Sequence, residues 1–291
     1  MKKFGVISEY CKEREDVGQR ARALFEGHFS GDYELSFFPL ESLGERDLDF
    51  FDAMYLSSLG KVKGREAQIL DRIHMLRRAR GLVINDPETM AGNFDKRYLL
   101  FLQERGIPVI PTMEVSGLPF DELSQVSFDG YPDTILKPRY FSERSEGLVK
   151  LTELPSQEHW EAYQGRHGQL VLAQPFLSTI GETGERSVVF VGDTYSHCVH
   201  RARKGEWTGG PGFHFTRVDA KEEELGIIEK ILAAWPTRYH VSRFDFIEDG
   251  EGDPLVSEVE MINPSLYLKV DGIDTRFMPL LRRHMAANLV R

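Results

Sequence analysis

Three carboxylates near the C-terminal end of the chain could hold a divalent cation. Asp245 lies in the segment Arg243-Phe244-Asp245, and Glu258 and Glu260 follow in residues 257–261. Residues two apart on a strand face the same side, so a hairpin could place Asp245 beside the two glutamates. Converging carboxylates repel unless a cation joins them, and such hard oxygen ligands suit Mg²⁺ or Mn²⁺. On spacing alone, a solvent-exposed acidic hairpin face is the alternative and the commoner interpretation.

Two lysines and a glycine-rich stretch could bind phosphate. Lys96 begins a predicted helix and Lys137 ends a predicted strand, and a lysine is a compact charge suited to a phosphate. Each lysine alone is more often a solvated surface residue. Residues 205–212 could cradle phosphates through backbone N–H groups or form an exposed hairpin tip. The sequence contains no P-loop, dinucleotide fingerprint, nucleophile elbow or zinc-protease motif.

The amino-acid composition argues against several classes of protein. The 291 residues carry 36 basic and 46 acidic side chains, a net charge of -10, with 41% hydrophobic residues. This composition predicts a folded globular protein and gives no sign of nucleic-acid binding. No apolar run is long enough to span a membrane, and the N-terminus lacks the features of a signal peptide. With only Cys11 and Cys198, we expect reduced thiols in a cytoplasmic protein.

Hydrophobic periodicity predicts an α/β region followed by an α+β region. Strands alternate with helices up to about residue 112, which favours a parallel sheet, and closely spaced strands follow. In the first region we predict strands at 4–8, 33–38, 53–57, 81–85 and 107–111 and helices at 17–29, 69–80 and 95–104. In the second we predict strands at 134–137, 170–174, 187–191, 195–201, 242–248 and 255–261 and a helix at 222–235.

The order of five segments between residues 82 and 268 resembles the ATP-grasp superfamily of carboxylate–amine ligases, in its glutathione-synthetase-like or RimK-like branch. They are residues 83–87 with Asp95-Lys96 and 107–112, then Ile135-Leu136-Lys137-Pro138, then 172–177, then 184–192, and last Arg243-Phe244-Asp245 with 257–266. Each segment is a weak signal, and their joint order is the specific one.

The resemblance implies a role for each matching residue. Lys96 and Lys137 would contact ATP phosphates, Gln174, Phe176 and Leu177 would line the adenine pocket, Asp245, Glu258 and Glu260 would hold one or two Mg²⁺ (or Mn²⁺), and Arg186 and Arg201 would meet the γ-phosphate or acyl phosphate. Glu260 stands where many relatives have Asn, and Asn263 is a competing amide ligand. Residues 139–147 would form the phosphate-covering loop, and 205–212, with Trp207 and His214 at its flanks, a lid. The alternative is a surface loop anchored by an aromatic residue.

The resemblance also implies an ATP-grasp fold with three parts: a Rossmann-like domain at 1–112, a small lid domain at 113–177 and a catalytic domain at 178–291. Side chains after the first strands are candidates for substrate selectivity, because ligands bind at the carboxyl ends of parallel strands. They are Ser8, Glu9, Tyr10, Ser57, Ser58 and Arg65. His197 and His200, three apart on a strand, should face opposite sides and serve structural roles.

The implied function is an ATP- and Mg²⁺-dependent ligase. It would activate a substrate carboxylate as an acyl phosphate and couple it to an amine, acting on small amino-acid or peptide substrates. An intramolecular cyclo-ligase is one alternative, because residues 264–268 are similar to a biosynthetic subgroup that includes the cycloserine-forming enzyme. A non-catalytic ATP-binding regulatory protein is the other. Neither nucleic acid nor membrane is an expected partner, and the interpretation allows a homodimer.

Overall fold

The computed structural model describes residues 1–9, 15–140, 147–203 and 213–289. Its first part is a four-stranded parallel sheet in the order β2-β1-β3-β4, with helices packed on it. The elements are β1 Lys2–Ser8, α1 Glu15–Phe29, β2 Tyr33–Phe38, α2 Glu45–Phe50, β3 Ala53–Ser58, α3 Glu66–Leu76, β4 Leu82–Ile84, α4 Pro87–Asn93 and α5 Tyr98–Gln103. Helix α4 begins sharply because Pro87 occupies its first turn and Asp86 accepts a hydrogen bond from the Glu88 N–H.

The second part is a smaller antiparallel sheet in the order β5-β8-β6-β7. Its elements are β5 Met113–Glu114, α6 Phe120–Leu123, β6 Thr134–Pro138, β7 Val149–Lys150, α7 Gln157–His167 and β8 Val171–Pro175. Trp160 and Tyr163 of α7 are buried against Leu136 and Val171 of the sheet. This packing fixes β6, the strand that carries Lys137.

The third part is a five-stranded antiparallel sheet in the order β11-β10-β9-β12-β13. Its elements are β9 Glu185–Val191, β10 Thr194–Arg203, β11 Phe213–Val218, α8 Glu222–Ala234, β12 Val241–Glu248, β13 Pro254–Glu260 and α9 Asp274–Asn288. One face packs on α8 through residues such as Phe244 and Ile228. On the other face, Val189 packs with Phe277 of α9 in a core shared with the N-terminal sheet.

Two side-chain amides of the N-terminal part bind backbone groups at the ends of β12 and β13. The Asn85 side chain donates to the carbonyls of Val241 and Met261 at 2.6 and 2.7 Å and accepts from the N–H groups of His240 and Val241. Asn93 donates to the Val259 carbonyl and accepts from the Met261 N–H. A bare edge strand offers unpaired backbone groups, and Asn93 satisfies two of them beside β13. Both amides fix the N-terminal part to the large sheet.

The α/β-then-α+β prediction agrees with these sheets, although α2, α4, α6, α7, α9 and β11 were not predicted. Two of the predicted elements also differ locally. Residues 107–111 form an isolated bridge, Val109 with Val256, in place of the predicted strand. The neighbouring prolines, Pro108 and Pro111, cannot donate hydrogen bonds to a ladder. The helix predicted from residue 95 begins at Tyr98, because Asp95 pairs with Tyr140 instead. The division at residues 112 and 177 stays a prediction.

Candidate functional site

Asp245 and Glu258 lie directly opposite each other on β12 and β13. The next pair on the same face is Arg243 with Glu260. The Arg243 guanidinium makes a bidentate contact with the Asp245 carboxylate. Its Nε lies 2.9 and 3.1 Å from the two carboxylate oxygens, and its Nη2 lies 2.9 Å from Oδ2. Nη2 also reaches Glu258 Oε2 at 3.4 Å. A buried cation therefore stands between the two carboxylates and offsets their repulsion.

Sequence reasoning missed Arg243 as a site residue. The signal was available, because Arg243 and Asp245 are two apart on one strand and must share a face. A bidentate guanidinium is suited to a phosphate as well as to a carboxylate. Arg243 is therefore the strongest candidate for an anion contact that the motif comparison left out.

Glu260 is engaged differently from the other two acids. It is buried, and its Oε1 accepts hydrogen bonds from the N–H groups of Ile262 and Asn263 at 2.9 and 3.0 Å. Burial raises the pKa of Glu260, and the neighbouring charge of Arg243 opposes that rise. In the turn that Glu260 braces, the side-chain oxygen of Asn263 is buried and finds no hydrogen-bond partner among the described residues.

The chemistry of this donor set fits a hard divalent cation. Within the part of the chain that the structure describes, no three His, Cys, Asp or Glu side chains form a ready metal cluster. Asp245 and Glu258 face each other, however, and the turn after β13 carries the unpartnered amide oxygen of Asn263, a neutral group of the type that accompanies carboxylates around Mg²⁺. Glu260 is therefore a weaker candidate metal ligand than the sequence suggested, and Asn263 is a stronger one.

The two candidate lysines lie together on the opposite side of Glu258. Lys96 is buried, and its Nζ lies 3.8 Å from Glu258 Oε1 and 3.3 Å from the Tyr140 carbonyl. Burial lowers the pKa of Lys96, while Glu258 and Glu260 oppose the shift. Burial, and then the charge of Lys96, lowers the pKa of Lys137 to about 7. Two neighbouring cations, of which Lys96 lowers the pKa of Lys137, form a site prepared for a strong anion.

A short backbone pairing holds the lysines in register. The Lys96 N–H donates to the Arg139 carbonyl at 2.7 Å, and Asp95 forms a bridge with Tyr140. The buried guanidinium of Arg139 lies 3.0 Å from Asp95 Oδ1 and donates to Glu114 Oε1 at 2.5 Å. Arg139 thereby joins the segment before Lys96 to the strand that carries Lys137.

The predicted adenine segment crosses from the small sheet to the large one. Gln174 is buried and its side-chain amide donates to Thr112 Oγ1 at 2.7 Å. Leu177 packs in an apolar cluster with Ile110 and Ile247. The Phe176 ring lies 4.4 Å beneath Lys150 Nζ. Leu177 and Phe176 supply apolar surface for a planar base, while the Gln174 side chain is committed to holding the strand.

The two predicted catalytic arginines lie on opposite faces of the large sheet. Arg186 is directly opposite Phe246, on the face covered by α8, where it pairs with buried Glu224 and donates to the Asp219 carbonyl at 2.6 Å. The prediction that Arg186 meets the reacting phosphate is therefore wrong, because the sheet separates it from the carboxylates. Arg201 lies on the carboxylate face, opposite Glu185, with which it forms an ion pair. Its role stays a prediction.

Most of the candidate selectivity residues cluster at the ends of β1 and β3. Ser8 and Ser58 are buried, and the Ser8 hydroxyl has no partner among the described residues. Glu9 is buried too and accepts a hydrogen bond from the Leu40 N–H at 2.9 Å. Arg65 donates to the Lys61 carbonyl at 3.4 Å, and Ser57 is partly exposed. The selectivity candidate Tyr10, most of the 139–147 loop and the 205–212 lid with Trp207 lie outside the described residues.

Neither His197 nor His200, the two histidines of β10, is positioned to act as a general acid or base. His197 is buried between the Ser196 hydroxyl and the Leu266 carbonyl, and burial lowers its pKa to about 4. His200 pairs with Arg186 on the other face and contacts the Thr183 carbonyl at 2.6 Å. Both rings serve packing and backbone contacts. His214 is exposed on β11.

Comparisons with known proteins agree with this geometry. No model of a known protein family matches the chain. The cycloserine biosynthesis protein DcsG of Streptomyces lavendulae is 27% identical over 249 residues, covering 77% of this chain and 80% of that protein. The crystal structure of D-cycloserine synthetase DcsG matches with a TM-score of 0.77 at 22% identity, over 97% of this chain and 99% of that one. D-alanine–D-alanine ligase of Bacillus anthracis, complexed with ATP, matches with a TM-score of 0.69 at 16% identity, over 100% and 98%.

These comparisons confirm the expected ATP-grasp fold and support the resemblance to ATP-dependent ligases. They do not single out the glutathione-synthetase-like or RimK-like branch. Among the described residues, no helix has the length and apolar character needed to cross a membrane.

Proposed function

We propose that this ATP-grasp chain is an ATP-dependent ligase that activates a substrate carboxylate as an acyl phosphate and couples it to an amine. The observation that carries the proposal is the cluster of Lys96, Lys137 and Arg243 around the Asp245–Glu258 pair. The cluster has the charges needed for a triphosphate and a cation, and it lies where the small sheet, the large sheet and the N-terminal part approach one another. Small amino acids or peptides are the proposed substrates.

The reaction proceeds in two balanced steps. A carboxylate oxygen attacks the γ-phosphorus, the bond from phosphorus to the bridging oxygen breaks, and ADP leaves. The amine nitrogen then attacks the acyl carbon, the bond from that carbon to the phosphoryl oxygen breaks, and phosphate leaves as the nitrogen loses a proton. Phosphoryl transfer depends mainly on alignment and on neutralised charge.

The residues of this chain supply alignment and charge. Lys96 and Lys137 would neutralise phosphate oxygens, and Arg243 would offer paired donors to the oxygens that gain charge as the phosphoryl group moves. We assign the Mg²⁺ site to Asp245 and Glu258 with Asn263 or Glu260. A bound Mg²⁺ supplies Lewis-acid neutralisation of phosphate oxygens. Phe176 and Leu177 would contact the adenine, and Gln174 would hold their strand in place. Arg201 remains a candidate for the acyl phosphate.

An ADP-release screen tests this proposal. The purified chain is incubated with MgATP and amino acids or dipeptides, singly and in pairs. Substrate-dependent ADP release that requires two compounds is the expected result. A nucleotide-induced rise in melting temperature without ADP release under any mixture would instead indicate a regulatory ATP-binding protein.

A cyclising ligase is the second candidate function, and the similarity to DcsG favours it. In that reaction the carboxylate and the amine belong to one molecule. ADP release with a single compound, accompanied by a product lighter than its substrate by one water, would identify it. The same screen therefore separates the two reactions.

Three further assignments belong to the proposal. The buried free thiol of Cys198 is compatible with the proposed cytoplasmic location. The domain limits at 112 and 177 are proposed from the change of sheet at each point. A homodimer also stays a prediction, which sedimentation of the purified chain tests.

A further inference from the structure

Two aromatic rings stand exposed on the edge strand of the large sheet. Phe213 and Phe215 of β11 are 47% and 44% exposed, and their ring centroids lie 6.3 Å apart. Neighbouring exposed rings on one surface commonly mark a binding site. Tyr267 extends the group, because its ring lies 5.4 Å from that of Phe215. We call Phe213, Phe215 and Tyr267 the aromatic platform.

The platform shares a face with the carboxylates. Phe215 is directly opposite Arg201, and Arg201 is directly opposite Glu185. Two residues further along β9, Ser187 is directly opposite Asp245. Directly paired residues of an antiparallel sheet project to the same side. The rings, Arg201 and the Asp245–Glu258 pair therefore lie on one face of the large sheet.

Tyr267 connects the rings to the charged site. Its hydroxyl lies 3.1 Å from the Ser187 hydroxyl, next to Asp245 in the sheet. Among the described residues, Tyr267 is also the only non-glycine residue with a positive φ, 51°. A backbone held in that region is costly for a side chain larger than glycine and is enriched at functional sites. The turn is thus shaped to lay the Tyr267 ring across the sheet.

We propose that the aromatic platform binds the side chain of the carboxylate substrate, and that this side chain is aromatic. The inference rests on the proposed ligase function. Strands are spaced about 4.8 Å apart, so three spacings, about 14 Å, separate β12 from β11, with Tyr267 between them. An aromatic amino acid whose carboxylate lies near Arg243 reaches Tyr267, and a dipeptide, at about 3.5 Å per residue, reaches Phe215. The side chains of alanine and serine themselves are too short to reach either ring.

The chemistry of the platform favours an aromatic group over an aliphatic one. Rings pack against rings in offset or edge-on arrangements with specific attraction beyond the area buried. Arg201 lies 5.1 Å from the centroid of the Phe213 ring and is also ion-paired with Glu185. A guanidinium over a ring orders that ring at one end of the platform.

The experiment compares ADP release with phenylalanine and tyrosine, and dipeptides containing them, against their alanine and serine counterparts. The wild-type chain is expected to favour the aromatic series by about tenfold or more in kcat/KM. Phe215→Ala and Phe213→Ala should raise KM for the aromatic series while leaving kcat, KM for ATP and the melting temperature nearly unchanged. Phe215→Tyr should retain the preference.

Phe50→Ala is the matched control, because Phe50 is also exposed, at 48%, and lies in α2 of the N-terminal part. This variant should leave the preference intact. Equal kcat/KM for both series, or an equal loss for both series in Phe215→Ala, would overturn the aromatic platform while leaving the ligase proposal in place. A preference for leucine over phenylalanine would also overturn it. Absence of ADP release with every substrate would instead remove the proposed function, and the platform with it.

Discussion

The two faces of the five-stranded sheet each hold a largely buried arginine paired with acids, and the pairs differ in what surrounds them. On the α8 face, Arg186 pairs with Glu224, which is fully buried and also accepts a hydrogen bond from the Lys221 N–H. On the other face, Arg243 pairs with Asp245 and reaches Glu258, whose side chain is 30% exposed and faces Lys96. The first pair is closed by a helix, whereas the second opens toward further cations.

The difference separates a structural ion pair from a site. A closed pair with its hydrogen bonds satisfied holds α8 on the sheet and leaves nothing for a ligand. The pair on the other face has two lysines with lowered pKa values beside it, and the turn after Glu260 carries the unpartnered amide oxygen of Asn263. Unsatisfied groups and perturbed pKa values cluster where a ligand completes the network.

The largest expected effect follows from Glu258→Gln. This change keeps the shape of the side chain and removes the charge that faces both Lys96 and the proposed cation. We expect turnover to fall by about a thousandfold or more while the melting temperature changes little. Steady-state ADP release and a thermal melt measure both quantities. Turnover close to that of the wild type would count heavily against the metal assignment.

A matched pair of arginine variants tests the comparison of the faces. Arg243→Lys retains the charge and loses the bidentate fork, so turnover should drop by about a hundredfold with the fold intact. Arg186→Met leaves Glu224 buried and unpaired, which should cost about 3 kcal/mol of unfolding free energy while the folded fraction keeps its turnover. Denaturant unfolding and ADP release report the two outcomes. A loss of stability in Arg243→Lys together with a loss of turnover in Arg186→Met would contradict the roles assigned to the two faces.

Arg243 and Arg186 also show which features of the site the sequence could predict and which it could not. Alternation along a strand is a local property, so the juxtaposition of Asp245 with Glu258 was predictable from the hairpin, and Arg243 could have been found in the same way. The face of Arg186 was not, because it depends on the register of β9 against β12, which packing between distant segments decides.

Other features depended on long-range contacts in the same way. Asn85 and Asn93 look like ordinary polar residues in the sequence, and only the assembled fold brings their amides to the ends of β12 and β13, 156 to 176 residues away along the chain. Lys96 and Lys137 were identified by resemblance rather than by local pattern. The effect of Lys96 on the pKa of Lys137 arises from a backbone pairing that no local signal encodes.

The lowered pKa of Lys137 predicts that the use of ATP depends on pH. With a pKa of about 7, the free enzyme loses the Lys137 proton as pH rises through neutrality, whereas ATP favours the charged form. The value of kcat/KM for ATP should therefore decline above pH 7, by up to about tenfold by pH 8. Binding at pH 8 should take up a proton, which calorimetry in buffers of different ionisation enthalpy measures.

Lys137→Arg is the control for this pH dependence, because a guanidinium stays protonated throughout the range. The variant should lose the inflection near pH 7 and the proton uptake. An unchanged inflection in Lys137→Arg would assign the titration to another group and contradict the pairing of the two lysines.

The smallest expected effect concerns how the lysines are held. Arg139 and Arg97 both pair with Asp95, but the Arg139 side chain is buried and the Arg97 side chain is largely exposed. Arg139→Gln should raise KM for ATP by about threefold to tenfold with little change in kcat, because it loosens the segment before Lys96. Arg97→Gln should do almost nothing, as exposed ion pairs contribute little. Equal effects of the two changes would mean that Arg139 does not position Lys96.

The central claim is that ATP activates a carboxylate on the open face of this sheet, and oxygen-isotope transfer tests it most directly. The substrate that releases ADP in the screen is prepared with ¹⁸O at both oxygens of its carboxylate, and the phosphate produced is analysed by mass spectrometry. An acyl phosphate requires one ¹⁸O atom in each phosphate released. Phosphate that carries no label would contradict carboxylate activation and, with it, the proposed reaction.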